Sequence, residues 1–304
     1  MTKYSVVTGP TGAVGVALIN ELVKNDYIVY AICRPHSSRI NNIPKHENVK
    51  IIECDINELR NLANLIETEI YSFYHLAWEG TYGASRNDEM LQMNNIKSTI
   101  DAVNVAKQLK TKVFIGVGSQ SEFGNTNKKK APNDFCNPDN FYGAAKLSSM
   151  YMSKVLCSKL EIKHVWCRIF SLFGPGDGEY TLIMSTLKKL LSAQDCDFTK
   201  GEQIWDYIYS KDAAVILRKA AEIGKDNSIY CVASGHTKTL REYIESMAKV
   251  VGSKSKLNFG AIPYFPNQVM NLTADVSAIK EDLNFECTYT FEEGIKELIE
   301  GLKK

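Results

Sequence analysis

The strongest constraint on this chain lies between residues 8 and 15. There Thr8-Gly9-Pro10-Thr11-Gly12-Ala13-Val14-Gly15 separates two kinds of periodicity. Upstream is a largely apolar run, Tyr4 to Val7; downstream, Val14, Leu18, Ile19, Leu22 and Val23 recur at helical spacing. A strand that breaks into a helix through spaced glycines builds a pyrophosphate site, because the helix N-terminus offers unpaired N–H groups and the positive end of its dipole. The glycines permit the turn, let backbone approach the phosphates, and let the helix pack close to the strand. Spaced glycines alone also suit a tight turn that binds nothing. Here a second apolar run, Tyr27 to Cys33, returns after the helix, which predicts a βαβ unit with a right-handed crossover. Gly9, Thr11, Gly12, Ala13, Val14 and Gly15 are therefore cofactor-binding candidates.

The same alternation continues. Strand-like runs at Val49–Glu53, Tyr71–Leu76, Val113–Val117 and Ile162–Phe170 are separated by helical patterns at Glu58–Glu69, Leu91–Leu109 and Tyr142–Leu160. Near-continuous apolar strands alternating with helices predict an α/β fold, a doubly wound parallel (Rossmann) sheet covered on both faces. After Gly174-Pro175-Gly176 the regularity weakens. Helical segments at Leu182–Leu191, Leu240–Val250 and Phe291–Leu302 suggest a smaller C-terminal substrate lobe, with returns to the sheet near Trp205–Tyr209 and Ser228–Val232. The expected division is 1–170 for the dinucleotide-binding domain, with returns near 203–233, and 171–304 for a mainly substrate-binding, interleaved lobe.

Ligands in open parallel sheets bind outside the carboxyl ends of the strands. An NAD site usually holds the adenosine ribose with an acidic residue at the end of the second strand. Here that position is Cys33, which cannot accept from two ribose hydroxyls, and Arg34 and Arg39 follow it. A guanidinium there suits a 2′-phosphate, so NADP(H) is expected over NAD(H). The other reading of both arginines is ordinary solvated charge.

Tyr142 and Lys146 stand at i, i+4 in a helical run, so both side chains share one face. An ammonium beside a phenol lowers the phenol's pKa, and such a tyrosine can donate a proton to a carbonyl under reduction. Ser119, at the end of the fifth strand, is placed to hydrogen-bond the same oxygen. A second Tyr-x-x-x-Lys, Tyr207 and Lys211, reads as a continuous strand that would hold the two about 13 Å apart, and is taken as coincidence.

These residues together resemble the extended short-chain dehydrogenase/reductases of the NAD(P)-dependent nucleotide-sugar epimerase/dehydratase family, over nearly the whole length. Thr8–Gly15 is similar to the family's glycine turn. Asp55-Ile56 resembles its adenine-contacting pair. His75-Leu76-Ala77 resembles the motif near the nicotinamide ribose, Asn95 the asparagine that supports the central helix, and Ser119-Gln120-Ser121-Glu122-Phe123-Gly124 the catalytic serine segment. Pro138 through Lys146 resembles its Tyr and Lys helix. Arg168 with Phe173-Gly174-Pro175-Gly176 resembles the hinge, and Trp205-Asp206-Tyr207-Ile208 with Asp212 a late signature. The resemblance implies catalytic roles for Ser119, Tyr142 and Lys146. It implies cofactor contacts from Asp55, Ile56, Leu76, Ala77, Trp78, Asn95, Tyr142 and Lys146, and a homodimer built through the helices at Leu91–Leu109 and Tyr142–Leu160.

Departures from the family pattern narrow the chemistry. Its 4,6-dehydratases follow the catalytic Ser or Thr with an Asp-Glu pair, where this chain has Gln120 and Ser121. Its 3,5-epimerase/reductases place a Cys where Ser121 stands. Its 4-epimerases use the acid that Cys33 replaces. Ser171 stands where many members have Asn, and Trp205 where many have Arg. Trp205 either stacks on a base or sugar face or fills core. The loop Trp78-Glu79-Gly80-Thr81-Tyr82-Gly83 either lines the sugar pocket or is plain surface. Glu79, Tyr82, Ser121, Ser171 and Trp205 are the substrate-side candidates.

Charge and cysteine usage limit the alternatives. Thirty-six Lys and Arg against 35 Asp and Glu leave a net charge of +1, which supplies no field for nucleic acid or an anionic membrane. Lys128-Lys129-Lys130 lies in a polar, Asn-containing stretch and reads as a solvated loop. No apolar stretch reaches membrane-spanning length, no leader pattern is seen, and none of eight cysteines is spaced for zinc. A cytoplasmic protein without a bound metal is expected. The leading expectation is an NADPH-dependent reductase of a nucleotide-linked 4-keto-6-deoxysugar. The alternatives are a nucleotide-sugar 4-epimerase and a non-catalytic dinucleotide-binding regulator.

Overall fold

The structure, a computed structural model, describes residues 2–302. The first half of the chain runs β1 (Lys3–Thr8), α1 (Ala13–Lys24), β2 (Tyr27–Cys33), β3 (Val49–Glu53), β4 (Ser72–His75), α2 (Glu89–Gln108), β5 (Val113–Ser119), α3 (Phe141–Lys159) and β6 (Lys163–Ile169). The second half runs β7 (Ser171–Phe173), α4 (Leu182–Leu191), β8 (Cys196–Phe198), β9 (Ile204–Tyr209), α5 (Ser210–Glu222), β10 (Ser228–Val232), β11 (Thr237–Thr239), α6 (Leu240–Val251), β12 (Leu257–Phe259), β13 (Asn271–Leu272), α7 (Ser277–Leu283) and α8 (Phe291–Leu302).

Seven strands form one sheet in the order β10-β6-β5-β4-β1-β2-β3, with every neighbour parallel. The chain winds outward from β1 through β2 to β3, then crosses back to β4 and winds the other way. The reversal sits between β1 and β4, and a crevice opens at their carboxyl ends. Both faces are covered, which is why the central strands are mostly apolar rather than alternating, whereas the edge strand β3 keeps Lys50 and Glu53 exposed. One core gathers Leu18, Leu22, Ile216 and Leu217 from α1 and α5 against the sheet. The other gathers Leu59, Leu62, Ala102 and Val105 against the opposite face.

The C-terminal lobe has its own core of Ile183, Leu187, Tyr243, Met247, Ile295 and Leu298. Three expectations fail here and nearby. Ile204–Tyr209 does not rejoin the large sheet; β9 pairs with β7, β11 and β13 in a second sheet, whereas β10 does join the first. Tyr207 and Lys211 do not share a strand: β9 ends at Tyr209 and α5 starts at Ser210. The expected helix over Glu58–Glu69 is a 3-10 segment, Ile56–Asn64, with Glu58 at non-helical φ −116°. Asp55 caps it by accepting from the Asn57 N–H, a local bond that competes with α-helical pairing. Among the described residues no helix is long and apolar enough to cross a membrane.

Candidate active site

The glycine turn is shaped by close approach. A side chain at Gly15 would place its Cβ 2.3 Å from the Gly9 carbonyl oxygen, so α1 packs directly under the turn. Gly9 itself has φ +69° and lies against the Ala77 backbone of the next strand end. Gly12 is the N-cap of α1 and makes no side-chain capping bond. The first-turn N–H groups are thereby left for a ligand. The Thr8 hydroxyl accepts from the Leu76 and Ala77 N–H groups, both at 3.1 Å, and ties the ends of β1 and β4 together.

A cavity of about 410 Å³ opens beside this turn. Of the expected cofactor residues, Gly9, Thr11, Arg34, Arg39, Asp55, Ile56, Ala77 and Trp78 line it, as do Cys33 and Glu79. Gly12, Ala13, Val14 and Gly15 form the helix start behind it. Leu76 packs into the core instead. Asn95 is buried away from the cavity and brackets the Glu79 backbone: its Oδ1 accepts from the Glu79 N–H at 3.0 Å and its Nδ2 donates to the Glu79 carbonyl at 2.9 Å. Its role is to hold the loop after β4. Arg34 is exposed at the rim. Arg39 donates from Nη2 to the Thr11 carbonyl at 3.0 Å and to the Gly176 carbonyl at 2.5 Å, bridging the turn to the hinge segment. The cradle and its N–H groups fit a dinucleotide pyrophosphate.

Ser119, Tyr142 and Lys146 converge next to this cavity. Asn140 caps α3 by accepting from the Gly143 N–H at 2.9 Å, which puts Tyr142 in the first turn. A Cβ at Gly143 would lie 2.3 Å from the Ser121 carbonyl oxygen, so the helix start is pressed against the segment after β5. Burial pushes the Tyr142 phenol above its ordinary pKa, while hydrogen bonding to Ser119 and the charge of Arg86 oppose that rise. Lys146 stands one turn further along α3. Its ammonium donates to the Val117 carbonyl at 2.8 Å and sits 3.7 Å from the centre of the Trp78 ring, but 6.0 Å from that of Tyr142. The cation on the phenol is Arg86, 4.4 Å from the ring centre. Burial pulls the Lys146 ammonium down to about 7, opposed by the Glu122 carboxylate.

Behind Ser119 lies a buried ionic network. Glu122 accepts from the Ser119 N–H at 2.8 Å, from Trp166 Nε1 at 3.1 Å and from Arg168 Nε at 2.7 Å. Glu122 and Arg168 are both fully buried. Beneath Lys146, burial and the lysine's charge pull His75 down to about 3, so its imidazole is neutral.

Among the residues expected to meet substrate, Ser121 accepts from Arg86 Nη2 at 2.5 Å. Tyr82 stacks on Tyr180 with ring centres 3.8 Å apart, joining the loop after β4 to the C-terminal lobe. Ser171 accepts from Trp205 Nε1 at 2.6 Å, and the half-buried Trp205 ring packs between two apolar clusters. Neither Ser171 nor Trp205 reaches the cavity beside the glycine turn. Sequence reasoning missed Arg86 and Tyr180. Arg86 lies in a polar loop where an arginine carries no periodic signal. Arg168 did carry a signal: a charge inside the apolar run Ile162–Phe170.

The family model for the NAD dependent epimerase/dehydratase family matches residues 5–233. A CDP-abequose synthase of Salmonella muenchen is 26% identical over 305 residues, covering 98% of each chain. A dTDP-4-dehydro-6-deoxyglucose reductase of Escherichia coli is 22% identical over 311 residues, covering 98% of this chain and 97% of its own. Among solved structures, a UDP-glucuronic acid 4-epimerase from Bacillus cereus, in complex with UDP-glucuronic acid and NAD, superposes with a TM-score of 0.85 at 23% identity over 99% of each chain. With a Rossmann sheet, a glycine cradle at its topological reversal and a family match across three-quarters of its length, the chain belongs to the NAD dependent epimerase/dehydratase family.

Proposed function

We propose that the protein is an NADPH-dependent reductase of a nucleotide-linked 4-keto-6-deoxysugar. The observation that carries this reading is the packing of Tyr142 and Lys146 on Trp78, which lines the cavity, with Ser119 bonded to Tyr142 and the uncharged Gln120 and Ser121 after Ser119 rather than two carboxylates. A ketone reduction needs a proton donor and an oxygen-orienting group, and no acid–base pair to eliminate water. When bound, the reduced nicotinamide supplies hydride to the sugar carbonyl carbon. Ser119 orients the carbonyl by hydrogen bonding. The Tyr142 phenol gives its proton to the oxygen as negative charge develops there. Lys146 holds the nicotinamide ribose. Glu79, Tyr82, Ser121, Ser171 and Trp205 are assigned to the substrate side, Ser121 sharing Arg86 with the Tyr142 ring.

NADP(H) is favoured by Cys33 at the end of β2 and by Arg34 and Arg39 in the cavity lining. The similarity to a 4-dehydro-6-deoxysugar reductase supports the reaction class. A 4-epimerase with tightly held cofactor is the second reading, favoured by the match to an NAD-bound 4-epimerase. A homodimer through α2 and α3 is supported by exposed Met93, Tyr151, Met152 and Val155 along those helices. A cytoplasmic location is supported by eight free cysteines.

The test is NADPH oxidation across CDP-, dTDP-, GDP- and UDP-linked 4-keto-6-deoxysugars, with Tyr142→Phe alongside. The expected result is turnover that collapses in the variant while cofactor binding persists. Unchanged turnover refutes the assignment of Tyr142. Copurified nicotinamide with interconversion of sugars and no net NADPH loss selects the epimerase. A thermal shift with NADPH but no product selects a non-catalytic regulator.

A further inference from the structure

A second cation faces Tyr142, and it comes from outside the helix that carries Lys146. Arg86 lies in a short 3-10 turn, Gly83–Asn87, between β4 and α2. Its guanidinium covers the face of the Tyr142 ring, with Cζ 4.4 Å from the ring centre. One nitrogen donates to the Ser121 hydroxyl, and another reaches the Thr81 carbonyl at 3.5 Å. The loop that delivers it is anchored on both sides. Gln92 donates to the carbonyls of Gly80 and Ser85, both at 3.0 Å, and accepts from Trp78 Nε1 at 2.9 Å. Tyr82, four residues before Arg86, is stacked on Tyr180 across the cleft. The guanidinium is thus held at the phenol by a built loop rather than resting there as a free surface side chain.

We propose that Arg86 is a catalytic residue of this site, its guanidinium stabilising the phenolate that Tyr142 becomes when it gives up its proton. The inference rests on Tyr142 being the proton donor. A guanidinium suits the task because it stacks on aromatic faces and stays charged at every working pH. A cation on the ring face is attracted more strongly once the ring carries negative charge. The other groups around the phenol do not supply this. Lys146, on the phenol's own helix, is bonded to the Val117 carbonyl and lies over Trp78. Burial brings its ammonium down to about 7, so near neutral pH only part of it carries charge. Glu122, behind Ser119, is negative and paired with Arg168. His75, beneath Lys146, is neutral. Ser119 and Ser121 carry no charge. Arg86 is the one permanent positive charge in contact with the ring among the described residues.

Two measurements on the full chain test this, and they fail separately. In the first, 3,5-difluorotyrosine, which ionises at lower pH than tyrosine, is placed at position 142 and followed by fluorine NMR as pH is raised. Arg86→Gln is expected to raise the midpoint by about one pH unit, and Arg86→Lys to raise it less. No rise in Arg86→Gln overturns the proposal, with or without turnover. In the second, Arg86→Gln is expected to lower kcat about 10- to 100-fold with KM within about threefold, and Arg86→Lys to recover part of the loss. A large rise in KM with kcat retained overturns the proposal and makes Arg86 a substrate grip. A raised midpoint in a protein that turns over no keto-sugar nucleotide supports Arg86 while rejecting the reductase. Should Arg86→Gln fail to fold, Arg86→Lys decides: a midpoint and kcat both equal to wild type exclude a role that depends on guanidinium stacking.

Discussion

Removing the Glu122 carboxylate should destabilise the protein by an amount the structure lets one work out. Glu122 and Arg168 are both fully buried, and the carboxylate also accepts from the Ser119 N–H and Trp166 Nε1. Glu122→Ala leaves Arg168 as a buried charge without its counter-ion, which costs about 3–5 kcal/mol. The two orphaned N–H donors add to that, although not in full, because all three bonds share one carboxylate. A chain of 304 residues unfolds with an entropy of about 0.6 kcal/mol/K at roughly 2 cal/mol/K per residue. The melting temperature should therefore fall by about 5–8 °C. Differential scanning calorimetry reads this directly, and urea unfolding should show a lower midpoint at an unchanged slope. The double variant Glu122→Met/Arg168→Met removes both charges and should recover most of the loss, because an apolar pair of similar volume needs no counter-ion. Kinetics should show a second effect, since the Ser119 backbone is held by the same carboxylate: kcat should fall more than cofactor affinity. A Glu122→Ala protein melting within about 1 °C of wild type would show that the pair contributes nothing, and the reasoning would fail. A double variant less stable than the single would do the same.

Three further outcomes are expected. Burial pulls the Lys146 ammonium from a free-lysine value near 10.5 to about 7, so between those values the unfolded chain holds a proton that the folded chain releases, and folding gains stability as pH rises. Lys146→Met should accordingly stabilise most near about pH 6 and lose its advantage toward about pH 9 in paired thermal melts; an advantage that grows with pH would reverse the assigned sign. Arg34→Ala should weaken NADPH about tenfold and leave NADH nearly unchanged in fluorescence titrations, since only the former presents a 2′-phosphate; equal losses for both would reject Arg34 as the discriminator. Val155→Asp, in the exposed apolar face of α3, should convert a dimer to monomer in sedimentation velocity, and a wild-type protein already monomeric at micromolar concentration would reject the α2–α3 interface.

Much of the fold was legible in the chain because its signals are local. The run Tyr4–Val7, the glycines and the period of Val14 to Val23 lie within one strand and one helix, and β1 and α1 appear where they imply. A parallel sheet followed from six apolar runs and the return at Ser228–Val232, all of which lie in the seven-stranded sheet. Errors arose where a local pattern had two uses. Trp205–Tyr209 has the composition of a core strand, yet β9 builds the second sheet, and nothing inside five residues says which partners it will meet. Glu58–Glu69 carries a helical stripe at Leu59 and Leu62, but Asp55 and Asn57 bond locally and the segment stays 3-10.

The order of residues by itself determined the sheet, the phosphate cradle and the i, i+4 pairing of Tyr142 with Lys146, because each depends on spacing along one element. Only the tertiary structure decided which cation touches the phenol. Arg86 lies 56 residues before Tyr142 and Arg168 lies 46 after Glu122, so their pairing depends on strand order and loop path, which no local period encodes. The same burial that brings these groups together also acts on their charges, since removing water penalises the Lys146 ammonium.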